Sequence, residues 1–346
     1  MSNGKKKVLV AMSGGVDSST VASKMLEEGY EVEGATLSFG KFCSELAVID
    51  AKRVAEQLGI KHHVLECGER FENKVVKYFV DEYINGHTPN PCVRCNREIK
   101  FYELLNLMKE IGADYLATGH YAKITNHDGV YWLEKGHDML KDQSYFLGQL
   151  KYDYLQYIKF PLENIDKTDV RKYAKKLGLV VADKAESQDI CFTKGKDYKE
   201  IIKNYYESKK GDILHINGKK LGEHNGIINY TQGQRKGLGI GYTEPLFVIK
   251  IDPEKNVVYV GGEKDLFKTN VKIDKLNFLD LTLEFEKEYE FDVKLRSTNN
   301  PDRAKVIFHN DNTADVMLLK PSRNVSLGQL CGIYNGSRVV ASGFII

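Results

Sequence analysis

Apolar positions along the first third of the chain alternate between two spacings. A continuous apolar run, Val8 to Met12, gives way to helical spacing from Ser18 to Glu28, closed by Gly29, and then to a second run from Glu31 to Leu37. Short apolar runs bounded by turn residues predict buried strands, and recurrence every three to four residues predicts a helix. Together they make a strand-helix-strand unit. The alternation continues with a helix from Glu45 to Leu58 stopped by Gly59, a strand from Lys61 to Glu66 and a helix from Phe71 to Tyr83. After a proline-containing loop come a helix from Glu98 to Ile111, ending at Gly112, and a strand from Asp114 to Thr118. Such order predicts an α/β domain with a mostly parallel, Rossmann-like sheet that binds ligands at the carboxyl ends of its strands.

Further on, Val130 to Lys135 alternates like part of a hairpin. Tyr145 to Tyr157 and Thr168 to Leu177 have helical spacing, with Thr168 as the expected cap. Beyond about residue 195 the pattern changes to short strands set off by Gly, Asn and Asp: Asp212 to Ile216, Phe247 to Asp252 and Val257 to Val260. From Phe291 the alternation resumes (Phe291 to Ser297, Ala304 to His309, Ala314 to Leu319, Gly332 to Tyr334, Val339 to Ile345) and predicts a compact β-barrel. The expected domains are therefore residues 1–195, a small central β-rich domain over 196–265, and a C-terminal barrel over 266–346.

Composition refines this picture in four ways. With 42% hydrophobic and 28% charged residues, the chain is that of an ordinary globular protein. No apolar run approaches the roughly 20 residues that cross a bilayer, and Met1 to Lys7 lacks the apolar core of a signal peptide, so a cytoplasmic protein without membrane partners is expected. The net charge of +2 is uneven, −1 over residues 1–195 and +3 over 196–346, with lysine and arginine groups at Lys172/Lys175/Lys176, Lys194/Lys196/Lys199, Lys209/Lys210, Lys219/Lys220 and Arg235/Lys236. Each group suits either phosphate contacts or a solvated face. Six cysteines in a chain of this size do not make a disulfide scaffold, so their placement matters more than their number.

The candidate chemistry begins where the first strand ends. Ser13-Gly14-Gly15-Val16-Asp17-Ser18-Ser19 joins strand to helix. Gly14 and Gly15 can adopt positive φ and let backbone amides approach an anion, while the next helix adds its unpaired N-terminal donors. The serines supply hydroxyls, and Asp17 orients donors or helps hold a divalent metal. No lysine follows the glycines, so the loop fits a pyrophosphate leaving group better than transfer of a terminal phosphoryl. A second concentration lies in Thr88-Pro89-Asn90-Pro91-Cys92-Val93-Arg94-Cys95-Asn96, expected to be a stiff loop before a helix. There the helix end, Arg94 and Arg97 would favour a Cys95 thiolate. Cys191 lies in Ser187-Gln188-Asp189-Ile190-Cys191-Phe192. With no second C-x-x-C, structural zinc on Cys92 and Cys95 is disfavoured. Cys43, Cys67 and Cys331 stand in apolar or strand contexts and are expected to be buried.

On these residues the chain resembles the tRNA-specific 2-thiouridylase family. The resemblance is carried by Ala11 to Ser19, Thr88 to Pro91 with Cys95-Asn96, Ala117 to Tyr121, Lys141 to Leu147, Ile190 to Phe192 and Thr231 to Ile240. It implies a pyrophosphate-loop ATP-binding domain of the adenine nucleotide alpha hydrolase type, a small central domain and a tRNA-contacting barrel. The implied cofactors are ATP, bound by Ala11, Met12, Ser13, Gly14, Gly15, Val16, Asp17, Ser18, Leu37 and Gly119, and Mg2+. The implied partners are tRNAs of the Lys, Glu and Gln type, whose wobble uridine is adenylated at its C2 oxygen, and a sulfur donor such as a cysteine desulfurase or relay protein. Cys191 would carry a persulfide and Cys95 would be the catalytic nucleophile. Asn90, Pro91, Cys92, Lys141, Asp142, Gln143 and Arg296 would meet the tRNA. Many members carry aspartate at the position of Cys92, so this chain has three thiols, Cys92, Cys95 and Cys191, that suit a [4Fe–4S] cluster as an alternative to persulfide chemistry. An adenylating sulfurtransferase acting on another RNA base, and an RNA-binding module without catalysis, are the rival readings.

Overall fold

The computed structural model describes residues 5–42, 45–185, 190–193, 195, 197–323 and 325–346. It divides into two compact units, one of Met1–Lys74, Cys92–Gly195 and Ser337–Val339, the other of Val75–Pro91, Lys196–Gly336 and Val340–Ile346. Among the described residues no helix is long and apolar enough to cross a membrane.

In the first unit β1 (Lys7–Ala11), α1 (Val16–Glu27), β2 (Glu31–Ser38), α2 (Glu45–Leu58) and β3 (Lys61–Glu66) follow one another as the hydrophobic pattern predicts. Next along the chain come α3 (Gly68–Phe71), a π-turn over Glu72–Val76 and α4 (Lys77–Ile84), the last of which belongs to the second unit, then α5 (Pro91–Cys95), a π-turn over Asn96–Lys100 and α6 (Phe101–Glu110). The unit continues with β4 (Tyr115–Ala117), the hairpin of β5 (Ala122–His127) and β6 (Val130–Lys135), α7 (Ser144–Leu147), β7 (Ile158–Lys159) and α8 (Lys167–Lys176). The sheet runs in the order β3-β2-β1-β4-β7 and every pairing is parallel. At its centre Val8, Leu9 and Val10 are fully buried, because helices cover both faces; the strand accordingly reads as an unbroken apolar run. On one side Val21, Ala22 and Met25 of α1 pack with Val170 and Ala174 of α8 in the same core. Truncating Leu9 to alanine would cost about 2–5 kcal/mol.

Three expectations about helices change. The helix expected from Glu98 starts at Pro91: proline at the first helical position presets φ and gives up an N–H that would have no partner there. The segment from Tyr145 to Tyr157 is not one helix but α7 and a 3-10 turn over Tyr152–Tyr157, with Gly148 directly after α7. α8 is preceded by Asp166 and not capped by Thr168, and no side chain caps it.

The second unit contains α9 (Tyr198–Lys203) and a four-stranded sheet in the order β10-β11-β8-β9, formed by β8 (Gly211–His215), β9 (Lys220–His224), β10 (Phe247–Asp252) and β11 (Val257–Gly261). It also contains a six-stranded barrel of β12 (Lys268–Phe278), β13 (Glu288–Lys294), β14 (Asp302–Phe308), β15 (Thr313–Ser322), β16 (Leu330–Asn335) and β17 (Arg338–Ile345). Pairing of β12 with β15 on one side and β17 on the other closes the ring, which leaves these strands without a free edge. Inward residues such as Val293, Val306, Phe308, Val316, Cys331 and Ile333 fill it. β12, which the sequence pattern does not predict, buries Val271 and Ile273 at alternate positions, but the alternation is short and breaks before Leu276 and Phe278, among lysines, asparagines and aspartate.

Candidate functional site

The strand order fixes where a ligand belongs. β1 lies between β2 and β4, so the chain reverses its progress across the sheet beside β1, and the crevice outside the carboxyl ends of β1 and β4 is the switch point where open parallel sheets bind ligands. Two loops meet there. Ser13–Gly15 leaves β1, and Thr118-Gly119-His120 leaves β4. A Cβ on Gly119 would stand 3.1 Å from both Asp17 Cβ and Ser18 N, so glycine is what allows the second loop to lie against the first. Leu37, the penultimate residue of β2, is half-buried at the same end.

The phosphate loop is braced from within. Gly14 takes φ +67°, and a Cβ there would fall 2.2 Å from the Ala47 carbonyl oxygen of α2. Gly15 differs from the expectation of positive φ: it has φ −108° and serves as the extended N-cap of α1. The hydroxyls turn inward: Ser18 and Ser19 donate to the Gly15 carbonyl at 3.2 and 2.8 Å, and the Ser13 N–H donates to Ser18 Oγ at 3.0 Å. No side chain caps α1, which leaves its first N–H groups without helical partners. That is the donor set an anion needs.

Lysines reach this loop from far along the chain. Lys167 Nζ lies 2.6 Å from each oxygen of Asp17, and the Tyr121 hydroxyl donates to Asp17 Oδ1 at 2.9 Å. Lys184 Nζ donates to the Gly14 carbonyl at 2.8 Å and to Asp50 Oδ2 at 2.6 Å. Nothing local in the sequence flags either lysine, since each partner is 134 or more residues away. With both of its oxygens committed to Lys167, Asp17 is not shaped here as a ligand for Mg2+.

The thiols form the second part of the site. Cys95 is buried, while Cys92 and Cys191 are exposed. Burial pushes the Cys95 thiol up to about 12; the Lys100 ammonium opposes this, and the thiols of Cys191, Cys92 and Cys67 add to it. Cys92, although its surface is open to solvent, is raised too, first by the protein atoms crowded round it. The expectation of a lowered Cys95 pKa is thereby corrected. Cys95 closes α5 instead of preceding a helix, Arg94 turns to Glu98 at 3.7 Å, and Arg97 turns to Gln149 at 2.5 Å. The cation that does act on Cys95 is Lys100, one π-turn later; burial lowers its pKa, but the coulombic pull of Cys95, Cys92 and Cys191 outweighs that and leaves it raised. Among the described residues no group of three or more His, Cys, Asp or Glu is placed to hold a metal ion. Cys92, Cys95 and Cys191 are thus not arranged to hold a [4Fe–4S] cluster.

Gly119-His120 links the two parts. Gly119 abuts the phosphate loop, while the His120 ring stacks on Phe101, bonds Thr118 Oγ1 through Nδ1 at 2.7 Å and lies within the field of Lys100. Burial, helped by that charge, lowers its pKa to about 3.

Of the residues expected at the tRNA, Lys141, Asp142 and Gln143 lie in the loop before α7, all half-buried. The Asp142 carboxylate is used internally, accepting from Gly136 N, Ser144 N and Ser144 Oγ. Gln143 clamps Tyr121 by accepting from its N–H at 3.0 Å and donating its own N–H to the Tyr121 carbonyl at 2.8 Å. Asn96 Nδ2 donates to the Phe146 carbonyl at 3.0 Å, tying the thiol helix to the same segment. Asn90 and Pro91 are buried and belong to the second unit, although they directly precede Cys92 in the chain. Arg296, also in the second unit, donates to Ser326 Oγ at 2.5 Å. Cys67 and Cys331 are buried, as expected; Cys43, Ser187 to Asp189, Lys194 and Lys196 lie outside the described residues.

Residues 6–195 match the family model described as tRNA methyl transferase HUP domain, 199–262 that of the tRNA methyl transferase PRC-barrel domain, and 268–345 that of the Aminomethyltransferase beta-barrel domain. The chain is 46% identical over 350 residues to the tRNA-specific 2-thiouridylase MnmA of Rickettsia massiliae, covering 98% of this chain and 96% of that protein. The enzyme of the same name from Rickettsia bellii is 46% identical over 357 residues, covering 99% of this chain and 97% of the relative. A solved 4-thiouridine synthetase in complex with RNA and ATP is 20% identical, with a TM-score of 0.41, over 57% of this chain and 51% of the other. By sequence likeness that runs through nearly the whole chain, this protein belongs to the tRNA-specific 2-thiouridylase family.

Proposed function

We propose that the chain is an ATP-dependent tRNA-uridine 2-sulfurtransferase. One observation carries the reading: Gly119 packs against Asp17 and Ser18 at the uncapped start of α1, and the next residue, His120, stacks on Phe101, which directly follows Lys100, the cation that acts on the buried Cys95 thiol. ATP sits on Ala11 to Ser18, bordered by Leu37 and Gly119. The C2 oxygen of the wobble uridine attacks the α-phosphorus and pyrophosphate departs toward the α1 N-terminus. Adenylation turns a poor leaving group into AMP.

Sulfur then replaces that oxygen. Cys191, exposed, accepts a persulfide from a donor protein. Its terminal sulfur attacks C2 and AMP is expelled; Cys95 then attacks the inner sulfur, its thiol proton passing to the sulfur that departs with the S–S electron pair, so that 2-thiouridine is released and a Cys95–Cys191 disulfide remains for an external thiol to reduce. In the related route Cys95 attacks first and releases hydrosulfide, which attacks C2; the disulfide left behind is the same. Lys100 offsets the negative charge that forms on Cys95. A wobble base must be splayed out of its stack to be reached, and Asn90, Pro91, Lys141 and Gln143 are the residues assigned to grip the tRNA. The first 195 residues would be the catalytic domain, with 196–265 and 266–346 as the central and tRNA-contacting domains.

Nucleoside mass spectrometry of tRNA from cells lacking this gene, complemented with wild type, Cys95→Ser, Cys191→Ser or Cys92→Ala, tests the reading. Restoration of 2-thiouridine by wild type and Cys92→Ala but by neither of the others is expected. Loss of rescue with Cys92→Ala as well points instead to a three-thiolate cluster, and undiminished 2-thiouridine in the deletion strain overturns the assignment.

A further inference from the structure

We propose that Lys184 is a positioning residue for pyrophosphate: by holding the Gly14 carbonyl it fixes the Gly14–Gly15 peptide with the Gly15 N–H turned toward the anion. This rests on the phosphate-loop part of the proposed function and on no other part of it.

The argument is one of peptide geometry. In a planar trans peptide the C=O and the following N–H point in opposite directions, so whatever fixes the carbonyl aims the amide. The Gly15 carbonyl accepts from Ser18 Oγ, Ser19 Oγ and Ser19 N, all on the helix side, and the Val16 N–H is thereby turned the other way. The peptide before it has no such local restraint. Gly14 has no side chain, sits at φ +67° and can exchange conformations at little cost. Its carbonyl is held by an ammonium from residue 184, at 2.8 Å. A flipped peptide would point that carbonyl at the pyrophosphate oxygens and replace a donor with a repulsive acceptor. Lys184 is itself tethered to Asp50 on α2, the helix whose Ala47 carbonyl presses on Gly14. Loop, helix and lysine thus form one clamp, and the loop, which has no lysine of its own, borrows one.

A merely structural lysine would work through the Asp50 tether, which makes the two readings separable. Isothermal titration of the full-length protein with inorganic pyrophosphate, and with AMP as a control for the nucleotide pocket, compares wild type with Lys184→Met, Lys184→Arg and Asp50→Asn. Lys184→Met is expected to weaken pyrophosphate about tenfold, the value of one charge-assisted hydrogen bond, with AMP affinity and thermal midpoint close to wild type. Lys184→Arg, which keeps a charged donor, and Asp50→Asn, which keeps the bond to Gly14, should both stay within about threefold of wild type. The inference is overturned if Lys184→Met binds pyrophosphate within threefold of wild type, or if Asp50→Asn reproduces its loss. Should Lys184→Met fail to fold, Lys184→Gln is read by the same criteria. A wild type that binds neither ATP nor pyrophosphate overturns the phosphate-loop reading itself, whereas pyrophosphate binding that depends on Lys184 in a protein inactive on tRNA leaves this inference standing.

Discussion

The packing of the phosphate loop makes a graded prediction for three glycines replaced one at a time by alanine. At Gly15 the added methyl meets only Ser13 Oγ at 3.5 Å and φ is −108°, so neither space nor backbone opposes it. At Gly119 φ is unremarkable, but the methyl would stand 3.1 Å from Asp17 Cβ and Ser18 N, atoms of the loop backbone and its root that cannot rotate away. Overpacking of this kind costs about 1–3 kcal/mol, and the loss of unfolded-state freedom on replacing glycine returns about 0.4–1. At Gly14 the methyl would fall 2.2 Å from the Ala47 carbonyl oxygen, at φ +67°. The left-handed backbone alone costs an alanine about 1–2 kcal/mol, and relief of the clash adds a further ~1–3. With the same return counted at all three sites, the expected outcomes are a gain of about 0.4–1 kcal/mol for Gly15→Ala and losses of roughly 0–2.5 kcal/mol for Gly119→Ala and about 1–4.5 kcal/mol for Gly14→Ala, at roughly 2–4 °C per kcal/mol. Differential scanning fluorimetry without ligand reads the stability order. Titration with ATP reads the second consequence, since Gly119→Ala should weaken ATP by displacing the loop as well as by crowding. A midpoint for Gly14→Ala no lower than that of Gly15→Ala, or unaltered ATP binding by Gly119→Ala, would refute this account of how the two loops meet.

Three further outcomes follow from the site. Iodoacetamide labelling followed by peptide mapping should modify Cys92 and Cys191 well before Cys95, and Cys95 labelling should keep rising to the highest usable pH, because its thiol is buried and pushed up to about 12; early selective labelling of Cys95 at neutral pH would contradict its burial. Tyr121→Phe removes the 2.9 Å donor to Asp17 and leaves Lys167 in place, so a loss of about 1–2 kcal/mol in stability with weaker ATP binding is expected from thermal melts and titration, and an unchanged protein would show that the hydroxyl does not order the loop. His120, lowered to about 3 from an ordinary value of 6.5, stays neutral when folded but takes up a proton when unfolded below that ordinary value. Its contribution is therefore complete above pH ~6.5 and is lost as pH falls from there toward 3, by at most ~1.4 kcal/mol per pH unit. Denaturant titrations between pH 7 and 4 should show that slope reduced in His120→Asn; equal slopes would refute it.

The first 118 residues were largely legible as sequence because their information is local. An unbroken apolar run such as Val8 to Met12 has one good solution, a strand buried on both faces, and a glycine after helical spacing ends a helix wherever the rest of the chain goes. The phosphate loop was legible for the same reason: strand, glycines, serines and helix are consecutive, and the donors an anion needs come from that one stretch. Proline at the first helical position could have moved the start of the thiol helix from Glu98 back to Pro91, and with it Cys95 from a helix entrance to a helix interior. What sequence could not reveal was which charges meet. Arg94 and Arg97, adjacent to Cys95, are drawn to Glu98 and Gln149, while Lys100 acts on the thiol because a π-turn intervenes. Lys167 and Lys184 reach Asp17 and Gly14 only because the α8 segment packs back onto α1. Hydrophobic periodicity specifies which face of each element is buried; the partner of a lone charge depends on how those faces stack across 150 or more residues, and only the folded chain decides it.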